Sequence, residues 1–479
     1  MQTTRWEERT MRFRRYILVA CGLTLLGSVA QSADLLQVYQ QALQNDPQIR
    51  EADATRLASR ESKPQALARL LPSLDATGSY SWGDSEVGTF TLINRDSTDI
   101  TSPLVPRASR VNFDTDNKSY QLQLRQSVFN WERWSALKRA DSQVAQAEAD
   151  YQAAQQDLIS RTAQRYFEVL AAQDTVDAAQ ATQEAFARQL EQAEKRFEVG
   201  LIAITDVQET RARHDQATAA VILAKRTLAT AQEQLRELTG EPFDTLAPPI
   251  DDLPLKNPDP IDAERWVSQA LEQNLRVISA RLATDIAKQD INVARSGYLP
   301  SVDLVATRSD TERTGKQAGQ NPLAPSAVIP VPADQEQFGD SVGFQVSWPI
   351  YSGGATNSQV RQRVYLHRAA RERLERANRE TERATRDAYL SVLSEISRVR
   401  ALRQALESTR TALQATEAGF EVGTRTTVDV LDARRLLFDA QTNYSRSRYD
   451  YIVNILRLQL ATGTLNKADL EEINGWLKK

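Results

Sequence analysis

The chain is poor in the residues that usually carry chemistry. It has one cysteine, Cys21, two histidines, His214 and His367, and two methionines in 479 residues. A single cysteine excludes a disulfide framework, and so few thiols and imidazoles leave no set of soft metal ligands. There is no phosphate-cradling glycine loop and no nucleophile motif. No catalytic residue, cofactor or metal site is therefore expected, and the chain does not read as an enzyme. Aromatic residues make up 7% against 41% apolar residues, which points to helix-rich packing rather than large mixed cores. Net positive charge is missing too. The formal charge is −4, and residues 1–33, with five Arg and two Glu, hold +3, so the remainder stands at −7. No net positive field attracts nucleic acid.

Long apolar runs are also absent. Nothing after residue 33 approaches the ~20 consecutive apolar residues of a membrane helix, so a bilayer could be crossed only by strands. The one leader-like segment is "MRFRRYILVACGLTLLGSVAQSA", with a basic start, an apolar run from Tyr16 to Leu26 and small residues at Ser28, Ala30 and Ser32. It reads as a secretory signal peptide over residues 1–32, cleaved after Ala30 or Ser32. "LVAC" resembles a lipoprotein box at Cys21, but only a handful of apolar residues precede it. With the leader removed, no cysteine remains.

Glycine and proline are scarce in two long stretches. Trp131–Val199 and Ala355–Ala418 contain neither, and at ~1.5 Å per residue each helix would run on the order of 100 Å. Val399, Leu402, Leu406, Thr409, Leu413, Thr416 and Phe420 follow a seven-residue spacing, echoed by Phe186, Leu190, Ala193 and Phe197. That spacing implies supercoiled helix pairs. Each stretch stops at a glycine-centred turn, "RFEVGLIAITDVQETRA" (196–212) and "GFEVGTRTTVDVLDARR" (419–435), and a return helix of about 35 residues follows. Each unit is therefore a helical hairpin.

The turn is part of a larger repetition. "QNDPQI" and "LLPSLD" return as "EQNLRV" and "YLPSVD" at an offset of 228, while "RFEVG" and "LTG" return as "GFEVG" and "ATG" at an offset of 223. The chain reads as a tandem duplication: residues 33–239, a linker at 240–261 rich in proline, and residues 262–479.

Between the helices the period changes to two. Leu74, Ala76, Tyr80 and Trp82 alternate with Ser and Thr, and Tyr120, Leu122, Leu124 and Val128 alternate with Gln121, Gln123, Arg125 and Ser127. Val342, Phe344, Val346, Trp348 and Ile350 do the same, and "SVDLVATR" is a weaker fourth case. Four strands are expected, at about 73–83, 119–129, 301–309 and 340–350, with exposed polar loops over 83–119 and 308–340. The alternation alone fits a soluble sheet with one buried face as well as a membrane barrel. The leader and the long helices favour the barrel. Such a barrel has no free edge in hydrocarbon and needs about eight strands or more, so several chains must share it. A periplasmic adaptor or coiled-coil scaffold would share the helical hairpins, but would not explain four amphipathic strands with Tyr80, Trp82, Tyr120, Trp348 and Tyr351 near their ends.

"DLLQVYQQALQNDPQIR", "LPSLD", "RFEVGLIAITDVQ", "PIYSGGATNSQVRQ", "AGFEVGTRTTVDVLDA" and "ATGTLNKADLEEIN" resemble, in this order, the TolC family of outer-membrane channel-tunnel proteins, over about residues 34–475. The resemblance implies an α+β membrane protein: a homotrimer with a 12-stranded β-barrel in the outer membrane, continued by a long α-helical barrel across the periplasm. It implies an exit duct for efflux or type I secretion, gated by iris-like opening of the helical tips. The partners would be a periplasmic adaptor, an inner-membrane transporter and outer-membrane lipid.

By the same resemblance Thr205, Asp206 and Arg425 form a closing network, and Phe420 stands where a gate tyrosine is expected. Asp429 and Asp432 would line the pore constriction, with Glu209 the first-copy counterpart of Asp432. On an arbitrary helix the two aspartates would read simply as solvated carboxylates. Val199, Gly200 and Leu201, with Val422, Gly423 and Thr424, would meet the adaptor, although Gly200 and Gly423 are also what a helix-terminating turn demands. The arginine-rich stretch 361–386 reads as a salt-bridged helix face because Glu is interleaved. A longer C-terminal tail known in the family has no counterpart after "EEINGWLKK", which should leave the channel intact.

Overall fold

The structure, a computed structural model, describes residues 32–95, 98, 100–243, 245–321, 324–332 and 334–478. The expected leader lies, apart from Ser32, outside the described residues. The first copy comprises α1 (Leu35–Asn45), α2 (Pro47–Arg60), α3 (Ser62–Ala68), β1 (Ser73–Asn94), β2 (Leu104–Phe129), α4 (Trp131–Glu198) and α5 (Ile204–Thr239). The second comprises α6 (Ala263–Gln273), α7 (Leu275–Arg295), β3 (Ser301–Asn321), β4 (Ala324–Pro332), β5 (Gln335–Ser347), α8 (Ala355–Glu421) and α9 (Thr427–Thr462), followed by α10 (Lys467–Asn474).

Local chemistry explains both the likeness of the copies and one difference. Asp46 caps α2 and Asn274 caps α7, each side chain accepting from a backbone N–H two residues on. In the first copy Pro64 has no N–H and its ring opposes the carbonyl four residues back, so the helix breaks at Glu61 between α2 and α3. Asn292 occupies that place in the second copy, and α7 continues unbroken for 21 residues.

The two long helices have 68 and 67 residues and end at the glycine turns, as their composition predicts. Val399 and Leu406 are buried, and Leu402, Thr409, Leu413, Thr416 and Phe420 are half-buried, so the seven-residue seam is a packed one. Phe197 departs from it and is exposed.

The sheet has the order β1–β2–β3, with β4 and β5 both antiparallel to β3. Arg313 faces Gln335 and Lys316 faces Pro332, so β5 and β4 share one register and form a single broken line. The sheet thus has four staves, as expected. Their length is a correction. The stretches 83–119 and 308–340 are largely strand, since β1 and β2 pair without a break from Ser73 opposite Arg125 to Asn94 opposite Leu104. Alternation reports a contrast between two media, not pairing itself, and it vanishes where polar and apolar residues mix on one face of a ladder. The fourth strand ends at Ser347 rather than 350.

Near the helices the parity holds. Leu74 lies opposite Leu124, Ala76 opposite Leu122, Leu304 opposite Phe344 and Ala306 opposite Val342, forming one apolar face in which Leu124, Leu304 and Ala306 are half-buried and the others exposed. On the other face Arg125 lies 3.8 Å from Asp303. The outer edges of β1 and of the β4/β5 line have no partner strand among the described residues. No described helix is long and apolar enough to cross a membrane.

The helices form a wall that is also open. α4 packs against α5 and α9, and α9 against α8, giving the order α5–α4–α9–α8; nearer the sheet α7 fills the gap between α4 and α8. The main core lies midway along the wall. Leu35 and Val38 of α1, Leu158 and Phe167 of α4, Val392 and Ile396 of α8, Ile452 and Leu456 of α9 and Leu470 of α10 are buried there. The proline-rich connection is pinned onto it. The Tyr166 hydroxyl lies 3.0 and 2.8 Å from the carbonyls of Ala33 and Ala247, which compensates its burial. Arg448 donates to the carbonyls of Pro249 and Ile250.

Candidate functional site

The helix tips farthest from the sheet hold every residue singled out above for gating, constriction or docking. Both turns share one pair of backbone hydrogen bonds. Gly200 N–H donates to Phe197 O at 2.9 Å and Leu201 N–H to Arg196 O at 2.8 Å; in the second copy Gly423 donates to Phe420 O at 3.1 Å and Thr424 to Gly419 O at 2.8 Å. This is the Schellman pair of bonds, and it needs a left-handed residue in the middle. Gly200 has φ 76° and Gly423 φ 78°, so the repeated "FEVG" is a stop signal with a backbone reason. Such a turn usually tucks in the residue after the glycine. Here Leu201 is 73% exposed, and Val199 and Val422 are 69% and 75% exposed. These apolar side chains stand largely in solvent.

The helices after the turns start differently. Ala203 gives α5 no side-chain cap, whereas Thr426 and Asp429 form a capping box on α9. Asp429 Oδ2 accepts from Thr426 N at 2.8 Å and from Thr426 Oγ1 at 2.9 Å, and Asp429 N donates to Thr426 Oγ1 at 3.2 Å. The bond from the Thr426 backbone, then that from its hydroxyl, with Arg425 nearby, holds the Asp429 carboxyl below its ordinary range.

Asp432, one turn on, has a partner that sequence reasoning missed. Arg213 Nη1 donates to Asp432 Oδ1 at 2.7 Å, and its Nη2 donates to Glu209 Oε1 at 3.0 Å. The Glu209–Arg213 half was readable as an i,i+4 pair. The other half joins residues 219 positions apart and had no local signal. Phe186, Ala217 and Leu431 pack together as a small separate core in this region.

Among the described residues no hydrogen bond joins Arg425 to Thr205 or Asp206 within the chain. Arg425 lies instead against Gly419, where an added Cβ would come 2.8 Å from Arg425 Cγ. Phe420 is engaged from the first copy, with the Arg196 guanidinium 5.3 Å from its ring centroid. The structure thus brings Asp429, Asp432, Glu209, Phe420 and Arg425 to one end of the wall, and adds Arg196 and Arg213. Among the described residues no group of acidic, histidine or cysteine side chains could hold a metal ion.

An amphipathic sheet with open edges, carried on ~100 Å helices that end in paired tips, is the build of an outer-membrane channel. The chain belongs to the outer membrane efflux protein family, which it matches over residues 38–241 and 266–464. This is a family of transport channels rather than of enzymes, and it places the chain in the outer membrane. It is 37% identical to the outer membrane protein TolC of Escherichia coli K12 over 467 residues, 97% of this chain and 89% of that protein. It is 29% identical to the alkaline protease secretion protein AprF of Pseudomonas aeruginosa, covering 96% of this chain and 91% of that protein. Its fold matches the crystal structure of the CmeC outer membrane channel of Campylobacter jejuni with a TM-score of 0.70 at 17% identity, over 93% of this chain and 90% of that one.

Proposed function

We propose that the chain assembles as a homotrimer, an outer-membrane exit duct for small-molecule efflux and type I protein secretion. It would work with a periplasmic adaptor and an inner-membrane transporter. The observation that carries this reading is the double openness of a single chain. Among the described residues the two edge strands of the sheet have a partner strand on one side only, and α5 and α8 are the outermost long helices of the wall. Hydrocarbon does not tolerate a free edge. Three copies of four staves give a 12-stranded barrel, and the same three copies close the helical wall below it. The similarity to a protease secretion protein favours the secretion branch of this reading. Residues 1–32 would be the leader that exports the chain, 33–239 and 262–479 its two copies, and 240–261 the connection between them.

The tips would be the gated entrance. Among the described residues no hydrogen bond joins Arg425 to Thr205 or Asp206 within the chain, so we assign the latch to the contact between neighbouring chains, where Phe420 supplies no hydroxyl. Asp429 and Asp432, repeated by threefold symmetry, would make a cation-selective constriction. Val199, Gly200, Leu201, Val422, Gly423 and Thr424 would meet the adaptor.

Two measurements test this. Leu122→Arg or Phe344→Arg puts a charge against lipid at a cost of ~2–4 kcal/mol near the midplane, so trimer yield in outer membranes should collapse, whereas Gln123→Arg and Gln345→Arg should assemble almost normally. Equal yields would refute the lipid-facing parity. In planar bilayers, Asp429→Asn/Asp432→Asn trimers should lose cation selectivity and block by hexamminecobalt from the tip side. Block that survives would return both aspartates to the role of solvated carboxylates.

A further inference from the structure

The two return helices of the chain, α5 and α9, are bridged by one guanidinium. Arg213 holds Asp432 of the second copy and Glu209 of its own helix at the same time. The Arg213 side chain is only 24% exposed, against 47% for Asp432 and 52% for Glu209. The planar fork suits two carboxylates at once, and a charge-assisted bond is the strong kind. Glu209 is fixed one turn before Arg213, so it remains a partner wherever α9 goes. The Asp432 carboxylate has no such reserve, because Arg213 donates the only side-chain hydrogen bond it accepts among the described residues.

We propose that Arg213 is a specificity-determining residue of this entrance and an intrachain tie. In the resting chain it fastens α9 to α5 and screens Asp432; when the hairpins part it stays with Glu209 and leaves Asp432 bare. The open entrance would then carry one more unscreened carboxylate per chain than the resting one. This rests on the reading of the tips as a pore entrance, and it concerns a contact within each chain, separate from the latch between chains.

The test uses purified full-length trimers in planar bilayers. Arg213→Gln and Asp432→Asn break the same tie, so both should raise resting conductance severalfold, and the double variant should raise it no further than either alone. Their selectivities should move in opposite directions. Arg213→Gln becomes more cation-selective and is half-blocked at about tenfold less hexamminecobalt, as expected for one more carboxylate per chain facing a polyvalent cation. Asp432→Asn becomes less cation-selective. Arg213→Lys, which keeps the charge, should stay near the parent in selectivity. If Arg213→Gln does not assemble, Asp432→Asn tests the tie from its other end. Unchanged conductance in both single variants, or additive increases in the double one, overturns the tie. If Asp429→Asn weakens the block while the Arg213 variants do nothing, the tie falls and the entrance reading stands; if Asp429→Asn also changes nothing, the entrance reading falls with it.

Discussion

Residues 199–206 and 422–429 are the same turn 223 positions apart, with opposite side chains around it. In the first tip Val199 and Leu201 project into solvent, Ile202 and Ala203 follow, and α5 begins without a side-chain cap. In the second, Thr424, Arg425 and Thr426 take those last three places and α9 begins with a full capping box. The glycine is common to both because the backbone demands a left-handed residue; the neighbours are free of that demand. The same turn can therefore carry one tip that is apolar throughout and one in which the exposed Val422 is followed by polar side chains suited to water and ions.

Four changes would break or sharpen that contrast. The largest effect is expected at the apolar tip. Val199→Ser/Leu201→Ser should weaken adaptor binding on the order of tenfold or more, the scale of an exposed apolar hot spot, while Thr424→Ala changes it little. Equal losses, measured by binding of purified trimer to adaptor, would mean that the tips are equivalent partners. Next comes the gate: Arg425→Ser should raise single-channel conductance severalfold, Phe420→Tyr should lower it or leave it unchanged, and the first-copy counterpart change Ile202→Ser should leave it unchanged. An Ile202→Ser channel as open as Arg425→Ser would spread the gate over both tips.

The cap predicts a smaller and reciprocal effect. Thr426→Ala should cost about 1 kcal/mol at the start of α9, and Ala203→Thr should return a similar amount at the start of α5, read as hydrogen exchange in those first turns. The smallest effect is the dependence on pH. The Asp429 carboxyl lies below its ordinary range in the folded tip. Its contribution is therefore present above the unfolded-state value and is lost as pH falls through the lowered folded value. Acid should speed exchange at the start of α9 before it does so at α5, where no such box exists. Simultaneous loosening of both starts would show that the box is not what acid undoes.

The parts of the fold legible in the chain were those with a local cause. The absence of glycine and proline marks α4 and α8 nearly to the residue, the "FEVG" repeats mark both stops, and Pro64 accounts for the break between α2 and α3. The lower halves of the strands were legible because one face is apolar and the other polar. Their upper halves were not, because from Gly83 opposite Thr115 onward one parity mixes Asp84 and Glu86 with Phe90 and Leu92 and leaves no period to read. At the tips, Asp429 and Asp432 were visible as a pair one turn apart. Their different fates, one in a cap and one under Arg213, were not.

By itself, then, the sequence determined the lengths of the two long helices, the positions of their turns and which residues share the apolar face of the lower strand halves, since each follows from neighbours a few residues apart. The tertiary structure alone decided what those elements meet. It pinned the proline-rich connection beneath Tyr166 and Arg448, placed Arg196 over Phe420, and set Arg213 on Asp432. Those contacts join residues tens to hundreds of positions apart, and their geometry depends on where two ~100 Å helices lie side by side, which no local spacing encodes.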